Sequence, residues 1–140
     1  MKYYLIVTII IFLCSCRKSD ITTNQTAILN HTWILSSIQN TRTNETIKYP
    51  DNILHKESIT FADNLSTLSF GGVCNGGQGN FMLYNDKIVI TDLITTQIYC
   101  QYYEWEKYLI NNLDSISKFT VSNNQLTIYS KGSFNLIFYY

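Results

Sequence analysis

The chain has four cysteines, Cys14, Cys16, Cys74 and Cys100, and two histidines, His31 and His55. These are the side chains best suited to hold a metal or attack a substrate. His31, His55, Cys74 and Cys100 can be written as a zinc set, yet no pair among them has the short spacing of structural zinc motifs. A thiolate at Cys74 or Cys100 with a histidine base could act as a nucleophile. Serines are abundant, but no Gly-x-Ser-x-Gly elbow occurs. Gly71-Gly72 and Gly76-Gly77-Gln78-Gly79 lack the Lys-Ser/Thr ending of a phosphate loop. No catalytic residue, metal site or cofactor is therefore assigned, and an enzyme ranks last among the function classes.

The densest aromatic run is Tyr99, Tyr102, Tyr103 and Trp105. Tyr and Trp supply contact area while keeping a polar edge, so Tyr102 and Tyr103 with Gly76, Gly77 and Gly79 form a candidate binding surface. The plainer reading puts Trp105 in the core, Tyr99 beside the cysteines and the other tyrosines over a sheet. Asp114-Ser115-Ile116 resembles a short bacterial glycosylation motif, though three residues carry little information.

The amino terminus is more specific. Met1 and Lys2 precede an uncharged stretch, residues 3–14 (YYLIVTIIIFLC), that ends at Ser15, Cys16, Arg17 and Lys18. A spanning helix needs about 20 apolar residues, so this is read as a signal peptide. Leu13-Cys14-Ser15-Cys16 resembles the lipobox of bacterial lipoproteins, in which the cysteine thiol takes a diacylglyceryl group before cleavage ahead of it. Residues 1–15 are then leader, Cys16 the lipidation site and residues 16–28 a polar tether. Expected anchoring is through acyl chains, more than one of which is needed for stable attachment. Arg17, rather than aspartate, follows the cysteine, and outer membrane is the expected location.

Loss of the leader leaves 125 residues, enough for one domain, with nine Lys+Arg against ten Asp+Glu. That balance offers no basic field for nucleic acid and no polybasic patch for headgroups; a monomer is expected. With Cys14 removed and Cys16 lipidated, Cys74 and Cys100 remain as a pair in an exported compartment. A disulfide is the favoured reading, two reduced buried cysteines the alternative.

Period-two alternation predicts strands at 32–38 (Trp33 and Leu35 inward), 57–63 and 67–70, then 80–84 and 87–91 joined through Asn85-Asp86. A meander follows at 118–122, 125–130 and 133–140. Residues 40–45 read as a turn, and 71–79 as a glycine-bearing loop beside the bridge. Within 101–113, Trp105, Tyr108, Leu109, Asn112 and Leu113 recur at helical offsets, with Glu104, Glu106 and Lys107 elsewhere on the wheel.

The landmarks Trp33, Gly72-Val73-Cys74-Asn75, Gly79 leading to Phe81, Ile88-Val89-Ile90, residues 95–100 (TTQIYC), a Glu-containing helix and two closing strands resemble the META domain, also called HslJ-like. The likeness covers about residues 29–140. Val73 stands where members carry glycine, and Ile98-Tyr99 where they often carry methionine and alanine. The resemblance implies a mainly β (α+β) domain, a compact antiparallel barrel-like sheet with one amphipathic helix packed on it. It also implies a role loosely linked to envelope stress or secretion, without established catalysis. The expected function is thus an envelope-anchored, non-enzymatic domain that binds a protein, peptide or envelope component. Two alternatives are a protease inhibitor presenting the loop 76–79 and a lipocalin-like carrier of a small apolar ligand.

Overall fold

The computed structural model describes residues 21–140, so the leader and Cys16 lie outside the described residues. Helix α1 (Ile21–Ile28) leads into β1 (Thr32–Asn40), β2 (Thr46–Lys48), β3 (Ser58–Ala62), β4 (Thr67–Gly71), β5 (Gly76–Tyr84) and β6 (Lys87–Thr95). Helix α2 (Tyr103–Leu113) and the meander β7 (Ile116–Ser122), β8 (Gln125–Ser130) and β9 (Phe134–Tyr139) complete the chain. The strands form one antiparallel sheet in the order β6-β5-β4-β3-β1-β9-β8-β7, with β2 beside β1. Its two outer strands turn towards each other, and the Phe119 N–H donates to the Asp86 carbonyl at 2.7 Å. The result is a nearly closed barrel.

Asparagines make several of its corners. Asn123 and Asn124 both take positive φ between β7 and β8, as does Asn85 between β5 and β6; asparagine tolerates that region better than other side-chain-bearing residues. In β1 the register shifts between Leu35 and Ser37, leaving Ser36 as a bulge. The extra residue returns Ile38 to the inner face already used by Trp33 and Leu35, and all three are buried.

Trp33, Phe61, Phe119 and Phe138, with Leu35, Ile38, Ile59, Leu68, Leu126, Ile128 and Leu136, fill the interior. Each large apolar side chain stabilises the fold by about 1.5–3 kcal/mol. A carrier needs an open chamber, and this barrel has a packed core instead.

Alternating strand direction gives the barrel two distinct ends. Helix α1 sits at one, where the Trp33 indole donates to the Ile28 carbonyl at 2.9 Å and Gln25 reaches the Asn85 carbonyl. Polar composition conceals this helix: residues 21–28 read as tether, yet Ile28 is fully buried. Helix α2 covers the other end, burying Leu109 and Leu113.

Candidate functional site

Beneath α2 lies a buried polar cluster organised by Asn75. Its side-chain carbonyl accepts from the Ile98 N–H at 2.6 Å and from Thr96 Oγ1 at 2.9 Å. Its Nδ2 donates to the Ile98 carbonyl at 2.8 Å and to Glu106 Oε1 at 2.5 Å, while its backbone N–H donates to Glu106 Oε2 at 2.8 Å. The Asn75 carbonyl accepts from the Gly72 N–H at 3.1 Å. One residue thereby ties the β4–β5 connection, the segment after β6 and helix α2 together. Directly before it, Cys74 is bonded to Cys100 with a Cα–Cα distance of 6.0 Å. The bridge uses both thiols, which removes them as nucleophile or zinc ligands.

Glu106 is only 1 % exposed. The helical wheel had set it away from the apolar face, but the Asn75 amides draw it inward, and the buried stripe of α2 is Glu106, Leu109, Asn112 and Leu113. Trp105 and Tyr108 flank that stripe half-buried, Trp105 against Tyr49 at 4.7 Å between ring centroids and Tyr108 against Phe134 at 4.9 Å.

Glu57, immediately before β3, is 0 % exposed. Its Oε1 receives one long hydrogen bond from the Val73 N–H at 3.4 Å, and its Oε2 has no partner. Burial pushes its pKa up to about 7; the Val73 amide opposes the rise and nearby Glu106 adds to it. The same surroundings raise the Tyr49 hydroxyl to about 12, first through burial and then through Glu57 and Glu106. That hydroxyl also lacks a hydrogen-bond partner. Gly72 is required here by close approach, because a Cβ on it would collide with the Glu57 carboxylate.

Paired carboxylates with different environments are the usual acid/base arrangement, but these two are placed to support rather than react. Glu57 has no surface, and both Glu106 oxygens are engaged by Asn75.

A cleft of about 400 Å³ opens beside the cluster, between α2 and the segment after β6. It is lined by Asn75, Ile98, Tyr99, Tyr103, Glu106 and Ile110, among others. Tyr102 and Tyr103 are both half-buried, but Tyr103 lines this cleft whereas Tyr102 packs against the core. Ile98 is 61 % exposed and Tyr99 85 %.

The expected glycine loop is corrected. Gly76, Gly77 and Gly79 are in strand β5, paired with β4 on one side and β6 on the other. None has positive φ. Gly77 is dictated by packing: a Cβ there would strike the Phe70 ring and the Ile94 carbonyl. These three positions form no presented loop, and the inhibitory reading of 76–79 loses its basis.

Other candidates disperse. His31 stacks on Tyr140 at 4.2 Å near the α1 end, and His55 is exposed in the approach to β3. Among the described residues, no three His, Cys, Asp or Glu side chains cluster to suit a metal. Ser115 Oγ shares a hydrogen with Ser130 Oγ and donates to the Asn112 carbonyl, which commits it to the α2–β7 joint. Asn75 was visible in sequence beside Cys74, but its partners were not; Glu57 and Tyr49 carried no sequence signal beyond their strand context.

An NMR structure of a protein from Burkholderia xenovorans has the same fold, with a TM-score of 0.68 at 18 % identity over 81 % of this chain and 83 % of that one. A crystal structure of a duf4847 family protein from Bacteroides vulgatus ATCC 8482 gives 0.61 at 14 % identity, over 82 % and 95 %. No curated protein matches the chain. The family model described as META domain matches residues 26–139, taking in the whole barrel, both cysteines of the bridge and the Asn75–Glu106 tie. The chain belongs to the META domain family.

Proposed function

We propose that this META domain is a non-enzymatic binding module, held at the cell envelope by lipid on Cys16, and that it receives a protein or peptide partner at the α2 end of the barrel. The observation carrying this reading is the division of labour around Asn75. The polar groups of Asn75 and Glu106 are spent on internal hydrogen bonds, and the segment they hold exposes Ile98 and Tyr99 beside half-buried Tyr103. A surface ordered before binding loses less entropy on association. The lipid anchor is supported by the Leu13-Cys14-Ser15-Cys16 pattern and places the domain in an oxidising compartment suited to its disulfide.

Crosslinking the native protein in its own cells, followed by capture, tests the reading. Tyr99→Asp and Tyr103→Asp should each abolish a partner retained by a Tyr84→Asp control at the other barrel end. A partner retained equally by all three variants would place binding elsewhere. Intact mass of the mature protein should show acyl mass on Cys16; an unmodified Cys16 in native membranes would refute the anchor.

A further inference from the structure

Two consecutive residues, Cys74 and Asn75, restrain the chain on either side of Tyr99. Cys74 holds Cys100 covalently. Asn75 holds Ile98 by both its amide and its carbonyl, at 2.6 and 2.8 Å. One residue further back, the Thr96 N–H donates to the Gly76 carbonyl at 3.0 Å and Thr96 Oγ1 to Asn75 Oδ1. The backbone of residues 96–100 is thus fastened from beneath to the start of β5. Its side chains are exposed nonetheless: Thr96 is tied down through its hydroxyl, but Gln97, Ile98 and Tyr99 point their surface to solvent, Tyr99 with one tilted ring contact to Tyr103 at 5.7 Å.

We infer that residues 96–100 form an inhibitory loop for a serine endopeptidase whose S1 pocket takes large aromatic side chains, with Tyr99 as the residue inserted. The inference rests on the binding-module reading above and names the partner's chemistry. Such a pocket is a hydrophobic slot, and a tyrosine 85 % exposed on a fastened backbone can enter it at little ordering cost. Protease–inhibitor interfaces gain their affinity from this kind of preorganisation at ordinary interface size.

The restraints also explain why such a loop would inhibit rather than be consumed. In the forward step the protease serine oxygen bonds to the Tyr99 carbonyl carbon and the C–N bond to Cys100 breaks. The serine proton passes through the enzyme histidine to the Cys100 nitrogen. In an ordinary substrate that amine diffuses away. Here it stays, because Cys100 remains bonded to Cys74 while Asn75 keeps Ile98 in place. Attack of the amine on the acyl carbon rebuilds the peptide bond and returns the proton to the serine.

The test is to titrate chymotrypsin and trypsin with the mature, disulfide-intact chain. Chymotrypsin should be inhibited, with slow cleavage found only between Tyr99 and Cys100. Tyr99→Lys should weaken chymotrypsin inhibition at least about 30-fold, the scale of a binding hot spot, and create trypsin inhibition. Because Tyr99 is so exposed, that variant should melt within about 2 °C of the parent, which separates a lost contact from a lost fold. Reduction of the disulfide should turn the inhibitor into a substrate cut with turnover. Failure of the parent to inhibit chymotrypsin, or its rapid cleavage at Tyr99 with the bridge intact, overturns the assignment. Loss of the captured partner in Tyr99→Asp under those circumstances would leave the broader binding reading standing on its own test.

Discussion

Replacing Glu57 by glutamine should stabilise the domain above neutral pH and remove a pH dependence that the parent carries. In the folded chain the Glu57 carboxyl titrates near 7, against 4.5 for an ordinary glutamate. Between those values the folded state holds a proton that the unfolded state has lost, so stability falls as pH rises. Below about 4.5 both states are protonated and there is no penalty; above about 7 both are ionised and the full penalty applies. At about 1.4 kcal/mol per unit, the loss between pH 5 and pH 8 is about 2.5 kcal/mol. For a domain of this size that is about 10 °C in Tm. Glutamine keeps the shape of the protonated acid and an oxygen for the Val73 N–H, without a charge to desolvate. Urea denaturation of parent and Glu57→Gln at both pH values isolates the effect, because every other titrating group is common to the two proteins. The difference in stability should favour Glu57→Gln by about 2 to 3 kcal/mol more at pH 8 than at pH 5. A difference that does not change with pH would refute the reasoning.

Reduction of the bridge, or Cys74→Ser with Cys100→Ser, should cost about 3.5 kcal/mol on the chain-entropy account of a loop closed over a separation of 26 residues; thermal melts with and without reductant measure it. Asn75→Ala removes the side-chain donor to buried Glu106 Oε1 and both partners of the Ile98 backbone, leaving only the backbone N–H of residue 75 on Oε2, and should cost about 2 to 4 kcal/mol. Asn75→Asp, which keeps the volume but sets an acid against Glu106, should be no better at pH 8 by the same denaturation assay. Gly77→Ala should lower stability by about 1 to 3 kcal/mol or more by forcing a methyl against the Ile94 carbonyl and the Phe70 ring, and the Gly77→Ala/Phe70→Leu pair should recover only the part that comes from the ring.

The strands were legible because their periodicity is local. Ile59 with Phe61, Leu68 with Phe70 and the final meander each alternate against a core that needs one face of each strand. Helix α1 was not, since an eight-residue polar segment is ordered here by burying Ile28 and accepting the Trp33 indole, both tertiary events. The glycines misled for a related reason. They read as freedom of backbone conformation, whereas Gly72 and Gly77 are small because the Glu57 carboxylate reaches the first, and the Ile94 carbonyl and the Phe70 ring on the two neighbouring strands reach the second. Glu106 was misplaced on the helix because a glutamate turned inward is read as surface until its Asn75 donors are known. The bridge was within reach of cysteine arithmetic, but its adjacency to the Asn75 clamp depends on the register of β5 against β4 and β6.

The central claim is that Asn75 makes a rigid surface from an exposed segment, and amide hydrogen exchange at Ile98 tests it most directly. With its N–H bonded to Asn75 Oδ1 at 2.6 Å, the Ile98 amide should exchange as slowly as strand amides of β5, although its side chain is 61 % exposed. Asn75→Ser should release that amide while β8 and β9 stay protected. Exchange at Ile98 as fast as in an unstructured peptide, in the parent protein with its disulfide intact, would contradict the account.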